Sequence, residues 1–236
     1  MVGFRSRSDG PVTRPDIDPY DRPESWRIVD HRVLARGRVS DFVEDVVEAP
    51  DGVRFTRQWV THPGAVAVIA LRDDHRVAVI HQYRHPVGMR LIEPPAGLLD
   101  MDGEDWLVAA QRELAEEALL RADDWRVLVD IFTTPGGVAE SIRIYLARGL
   151  HRAEPPDGFE AEHEEAHMDL GWVALGDLVD AVFTGHVQSP SMVSGVLALQ
   201  AAEATGRLDT LRPADAPWPA RDVWQRRNRE LAGLDG

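Results

Sequence analysis

The stretch from Gly97 to Leu120, GLLDMDGEDWLVAAQRELAEEALL, most narrows what this chain can fold into. At about 100° per residue, Glu113, Glu116 and Glu117 fall within one narrow sector of a helix, and Leu107, Ala110 and Leu114 mark an adjacent apolar stripe. Like charges four residues apart oppose helix formation by roughly 0.2–0.5 kcal/mol, so an isolated helix gains nothing from placing Glu113 beside Glu117. A hard divalent cation facing that side reverses the sign.

Composition limits the chemistry that could use such a helix. With 40 acidic against 26 basic residues the net charge is -14, which argues against sequence-independent binding to nucleic acid or to an anionic membrane. There is no cysteine, so disulfides, thiolate metal sites and cysteine nucleophiles are excluded, and carboxylate or histidine chemistry remains. The first residues lack the apolar core of a signal peptide and no later run is long enough to span a bilayer, so a soluble, cytoplasmic protein is expected.

Residues 1–24 read as a flexible lead-in of prolines and scattered charges. Residues 25–62 carry short alternating stretches, WRIVDHRVLA, FVEDVV and VRFTRQWV, the last two divided by a Pro50-Asp51-Gly52 turn, and predict a small antiparallel β-sheet domain. GAVAVIAL and RVAVIHQYR are nearly continuous apolar runs, as strands covered on both faces require. MRLIEPPAG ends in a turn, WRVLVDIF and SIRIYLARGL predict two strands joined across TTPGGVAE, and MDLGWVAL predicts a further short strand. Helices are predicted at about 175–184 and 190–204, the second opening on Ser189-Pro190. The fold class expected for 63–205 is α/β, with helices on a mixed sheet; 206–236 is a C-terminal extension whose end, ARDVWQRRNREL, can form an amphipathic helix.

The Gly97–Leu120 stretch resembles the Nudix box, G-x5-E-x7-R-E-U-x-E-E-x-G-U with U aliphatic, at Gly97, Glu104, Arg112, Glu113, Leu114, Glu116, Glu117 and Leu120. Two positions depart from it. Six residues rather than five separate Gly97 from Glu104, and Leu119 replaces the glycine that permits a left-handed helix exit. The resemblance extends over about residues 30–204 and narrows to the ADP-ribose pyrophosphatase branch through HPGAV, QYR, EPPAG and Pro135 in TTPGGVAES.

The resemblance implies a Nudix-type α/β/α sandwich and a metal-dependent hydrolase that cleaves ADP-ribose to AMP and ribose 5-phosphate. It implies Mg²⁺, or Mn²⁺, held by Glu113, Glu117, Glu116 and the backbone carbonyl of Ala96, with Glu104 and Arg112 as an orienting ion pair. It assigns substrate contacts to Arg57, Arg84 and Glu140, and the general base to a glutamate of the loop EAEHEEAH, Glu164 first and Glu162 second. Relatives are homodimers that exchange the N-terminal sheet, so Arg57 is expected to serve the other subunit. Each residue also has a plainer reading: Arg57 as an exposed strand residue, Arg84 as a salt-bridge partner, Glu140 as a turn residue, and some loop acids as solvated charge. A calcium loop in DMDGED lacks its later oxygen ligands, and His163 and His167 read as loop histidines rather than zinc ligands. The alternatives for function are a pyrophosphatase for another nucleoside diphosphate sugar and a Nudix-like module that senses a nucleotide without hydrolysing it.

Overall fold

Period-two alternation in the N-terminal part produces three antiparallel strands in sequential order, β1 (Arg27–Arg36), β2 (Asp41–Glu48) and β3 (Arg54–Val60). In this computed structural model, residues 17–101, 103–154 and 168–232 are described, and the segment holding Glu162 and Glu164 lies outside them. The small sheet buries Val43 and Trp59 beneath Leu231. Asp45 is fully buried among them, and its carboxylate is satisfied by Trp59 Nε1 at 2.8 Å, Arg227 Nη2 at 2.9 Å and His31 Nδ1 at 2.6 Å.

The continuous apolar runs form the central strands. A five-stranded mixed sheet has the order β11-β8-β9-β4-β7, comprising β4 (Ala65–Ala70), β7 (Ala96–Leu98), β8 (Leu120–Phe132), β9 (Ser141–Arg152) and β11 (Arg212–Pro213). Strands β4 and β9 are parallel, and β8 and β9 form a long antiparallel hairpin. Beside it lies an antiparallel sheet in the order β10-β5-β6, with β5 (Arg76–Arg84), β6 (Met89–Glu93) and β10 (Asp169–Ala174). Alternate residues of β4 enter different cores. Ala65, Ala67 and Ile69 meet helices α2 (Leu175–Phe183) and α3 (Pro190–Ala204), whereas Val66, Val68 and Ala70 meet α1 (Trp106–Ala118). That two-sided burial explains why the sequence of β4 does not alternate, and it makes the α/β/α layering expected for this chain.

The C-terminal segment is part of the same core. Trp218 is 1% exposed and sets its ring edge-on to Trp106, the first residue of α1, at 5.3 Å between centroids. Arg143 of β9, fully buried, is held by Asp130 at 2.8 and 3.1 Å and by the carbonyls of Ala216 and Pro217, between the rings of Trp106 and Trp218. Helix α4 (Pro219–Ala232) then crosses to the N-terminal sheet, where Arg227 stacks on Trp59. No helix among the described residues is long and apolar enough to cross a membrane.

Candidate active site

Helix α1 carries one wall of the site, and its two ends fix where that wall lies. At its start, Asp105 caps the helix by accepting from the N–H groups of Leu107 at 2.9 Å and Val108 at 3.4 Å. At its end Leu119 has φ 54 and ψ 40, and its N–H bonds to the Leu114 carbonyl. The left-handed exit is therefore kept without the glycine. A β-carbon in that conformation costs about 1–2 kcal/mol, partly offset by the roughly 0.5–1 kcal/mol of chain entropy a glycine would lose. Leu119→Gly should raise the unfolding free energy by about 0.5–1 kcal/mol, measured by urea denaturation; a loss of stability would show that Leu119's packing outweighs its strain.

Beneath the helix, the Pro94-Pro95 turn delivers β7 to the edge of β4, with the Val68 N–H donating to the Pro95 carbonyl at 2.8 Å. Gly97 sits directly under Glu113: a Cβ there would overlap the Glu113 carboxylate and lie 2.6 Å from its Cγ. The glycine is required by this approach of side chain to backbone. Glu117 Oε2 accepts the Ala96 N–H at 2.8 Å, so two glutamates one helical turn apart clasp the same short strand. Arg112 gathers the others. Its Nε and Nη2 each donate to Glu104 at 3.0 Å, and Nη1 reaches Glu113 at 2.6 Å and Glu116 at 3.0 Å. The bonds to Glu104 are the largest cause of an Arg112 pKa raised above the usual guanidinium range.

The carboxylates predicted to crowd one sector are thus divided, Glu113 and Glu116 around Arg112 and Glu117 toward Ala96. Among the described residues, no three His, Asp or Glu side chains converge as a ready metal cage. The side chains that meet β7 here, Glu113 over Gly97 and Glu117 on Ala96, nevertheless offer carboxylate oxygens, ligands that suit Mg²⁺ or Mn²⁺.

The opposite wall comes from three other elements. Arg84, at the end of β5, is held through Nε and Nη2 at 2.8 Å by Glu93 of β6. Glu93 is itself buried and also accepts from Ser189 Oγ, just before α3, at 3.2 Å. Glu140, at the entrance to β9, accepts from the Thr133 hydroxyl and has Oε1 3.4 Å from His62 Nε2. The turn carrying Glu140 is pinned to the N-terminal sheet, because the Val60 N–H donates to the Gly137 carbonyl and the Ala139 N–H to the Val60 carbonyl.

Both walls line one cavity of about 1040 Å³. Of the residues singled out from sequence, it brings together Arg84, Ala96, Arg112, Glu113, Glu117 and Glu140. Glu104 and Glu116 stand behind it on Arg112. Arg57 is elsewhere, over the Phe55 ring at 4.3 Å and bonded to its neighbour's carbonyl, and Glu162 and Glu164 lie outside the described residues. Sequence reasoning missed His62, Glu93 and Arg38, all of which line the cavity. His62 and Glu93 did stand in the flagged segments HPGAV and EPPAG, whereas Arg38, in the turn between β1 and β2, had no local signal.

A NUDIX domain model matches residues 61–193, spanning every element that lines this cavity except the β1–β2 turn. The chain belongs to the Nudix family. It is similar to an ADP-ribose pyrophosphatase of Mycobacterium tuberculosis, 42% identical over 193 residues that cover 82% of this chain and 91% of that protein. A Bacillus methanolicus protein named methanol dehydrogenase activator is 36% identical over 71% of this chain and 89% of its own length. Among solved structures, an ADP compounds hydrolase superposes with a TM-score of 0.65 at 22% identity, covering 80% of this chain and all of that one, which supports the Nudix fold. This Nudix chain is accordingly a hydrolase, and the nucleotide-sensing alternative gives way to an enzyme.

Proposed function

We propose that this Nudix enzyme hydrolyses the pyrophosphate bond of ADP-ribose to AMP and ribose 5-phosphate, with Mg²⁺ as cofactor and Mn²⁺ as a possible replacement. The observation that carries the reading is the single cavity with Glu113 and Glu117 on one wall and Arg84 and Glu140 on the other. Its volume lies just above the roughly 300–1,000 Å³ usual for ligand sites, enough for an elongated nucleotide sugar. The relative's activity on ADP-ribose, at 42% identity, adds support.

Glu113 and Glu117, with Glu116 and the Ala96 carbonyl, would hold the cation, which supplies Lewis-acid polarisation of the phosphoryl oxygens and relief of charge on the leaving group. Arg84, anchored on one edge by Glu93, keeps Nη1 to direct at the diphosphate. Glu140, held by Thr133 and His62, offers carboxylate oxygen to ribose hydroxyls or the adenine amine. Glu164 is proposed as the base that takes the proton of the attacking water, with Glu162 as the second candidate. The protein is further read as a cytoplasmic homodimer that exchanges its N-terminal sheet, which would give Arg57 its role in the partner subunit's cavity.

Substrate discrimination tests this reading. With Mg²⁺ present, kcat/KM for ADP-ribose should exceed that for ADP-glucose, GDP-mannose and UDP-glucose by about tenfold or more, about 1.4 kcal/mol of differential transition-state binding. A higher value for any of the others would reassign the substrate.

A further inference from the structure

Helix α4 inserts Arg221 into the interior, where it is 6% exposed and pairs with no carboxylate among the described residues. Its Nη1 donates to the Pro63 carbonyl, one face of the guanidinium lies 4.2 Å from the Trp224 ring centroid, and Nε has no partner. Burying a charge without a counterion is unfavourable, and burial does push the Arg221 pKa below its usual value. The loop it touches is built to admit it. Gly64 has φ +87, and a Cβ there would sit 2.8 Å from Arg221 Nη1.

That loop orients His62. The Gly64 N–H donates to His62 Nδ1 at 3.1 Å, so in the neutral ring the proton belongs on Nε2, the atom that faces Glu140 at 3.4 Å. We propose that Arg221 is a positioning residue of the substrate cavity: through the Pro63 carbonyl it fixes the His62–Gly64 loop so that a neutral His62 presents Nε2–H to Glu140. The kinetic consequence rests on Glu140 touching substrate; the ring geometry does not.

The charge of Arg221 acts in the same sense as its hydrogen bond. Two charged groups act on the His62 ring, Glu140 from the turn before β9 and Arg221 from α4. Burial pushes the His62 pKa down, Glu140 pulls it up, and Arg221 pushes it down again. Protonation would place a proton on Nδ1 against the Gly64 N–H and break the bond that aims the ring. Arg221 thus opposes the ionisation that would undo its own loop.

Histidine-ring nitrogen NMR tests this, with His62→Phe identifying the resonance. The wild-type ring should show the Nε2–H tautomer at neutral pH. Arg221→Gln ends where Nε now lies, short of the Nη1 that reaches Pro63, and carries no charge, so the bond and the charge are both lost and His62 should titrate at higher pH. Arg221→Met likewise removes both; it should also raise KM for ADP-ribose by about tenfold while kcat changes less than about threefold, the pattern of lost ground-state binding. His62→Phe should raise KM similarly, and Arg221→Met should add nothing to it. An unchanged His62 titration in Arg221→Gln, or additive effects in the double variant, would overturn the proposal. If Arg221→Met fails to fold, the Arg221→Gln titration still decides. Absence of wild-type turnover on ADP-ribose would refute the substrate assignment alone, leaving the ring measurement as the test of Arg221.

Discussion

Glu117→Gln is expected to lower kcat by about a thousandfold, roughly 4 kcal/mol of transition-state stabilisation, with little change in melting temperature. The substitution keeps the length of the side chain and an oxygen that can still accept the Ala96 N–H, now bonded at 2.8 Å to Glu117 Oε2. The clasp between α1 and β7 therefore survives. What disappears is a full negative charge at the place where a hard cation is proposed to bind, and an amide oxygen is a much weaker ligand for Mg²⁺ than a carboxylate. Steady-state turnover with Mg²⁺ varied over a wide range, together with a thermal melt, separates the two effects. Activity within about tenfold of wild type at saturating metal would refute the ligand role of Glu117.

Trp218→Ala is the substitution expected to cost most in stability, about 3–5 kcal/mol, as for other large aromatic residues removed from a packed interior. The ring is 1% exposed, meets Trp106 edge-on and covers the guanidinium of Arg143 at 4.8 Å. Its loss leaves a cavity at the root of α1 and thins the cover over a fully buried cation. The indole N–H is buried without a partner, which reduces the expected cost slightly. Urea denaturation gives the value. A loss below about 1 kcal/mol would mean that the C-terminal segment is an accessory to the catalytic fold rather than a component of its core.

The sequence was most legible where one residue type answers to one local constraint. The run RVAVIHQYR becomes β5 over the same residues because both its faces are covered, and Ser189-Pro190 opens α3 as its order requires. Arg112 and Glu104 were paired through their resemblance to positions of the Nudix box, and they meet through two bonds of 3.0 Å. The second wall was harder to foresee, because its contacts join residues remote in the chain. Glu93 links Arg84 to Ser189, which is 96 residues away, and Arg221 reaches Pro63 across 158. No periodicity or spacing encodes such contacts. Leu119 shows a different limit: the template's glycine put a left-handed exit at a leucine in question, yet the Leu114 carbonyl still receives its N–H and the helix ends as a glycine would end it. Tertiary and capping contacts outweighed the local preference.

The most direct test of the central claim is a turnover measurement on the full chain with ADP-ribose, made in chelator, after addition of Mg²⁺, and again after a second excess of chelator. AMP and ribose 5-phosphate should form in equal amounts, only while Mg²⁺ is available. No Mg²⁺-dependent release of the two products would contradict the assignment of this cavity as an ADP-ribose pyrophosphatase site.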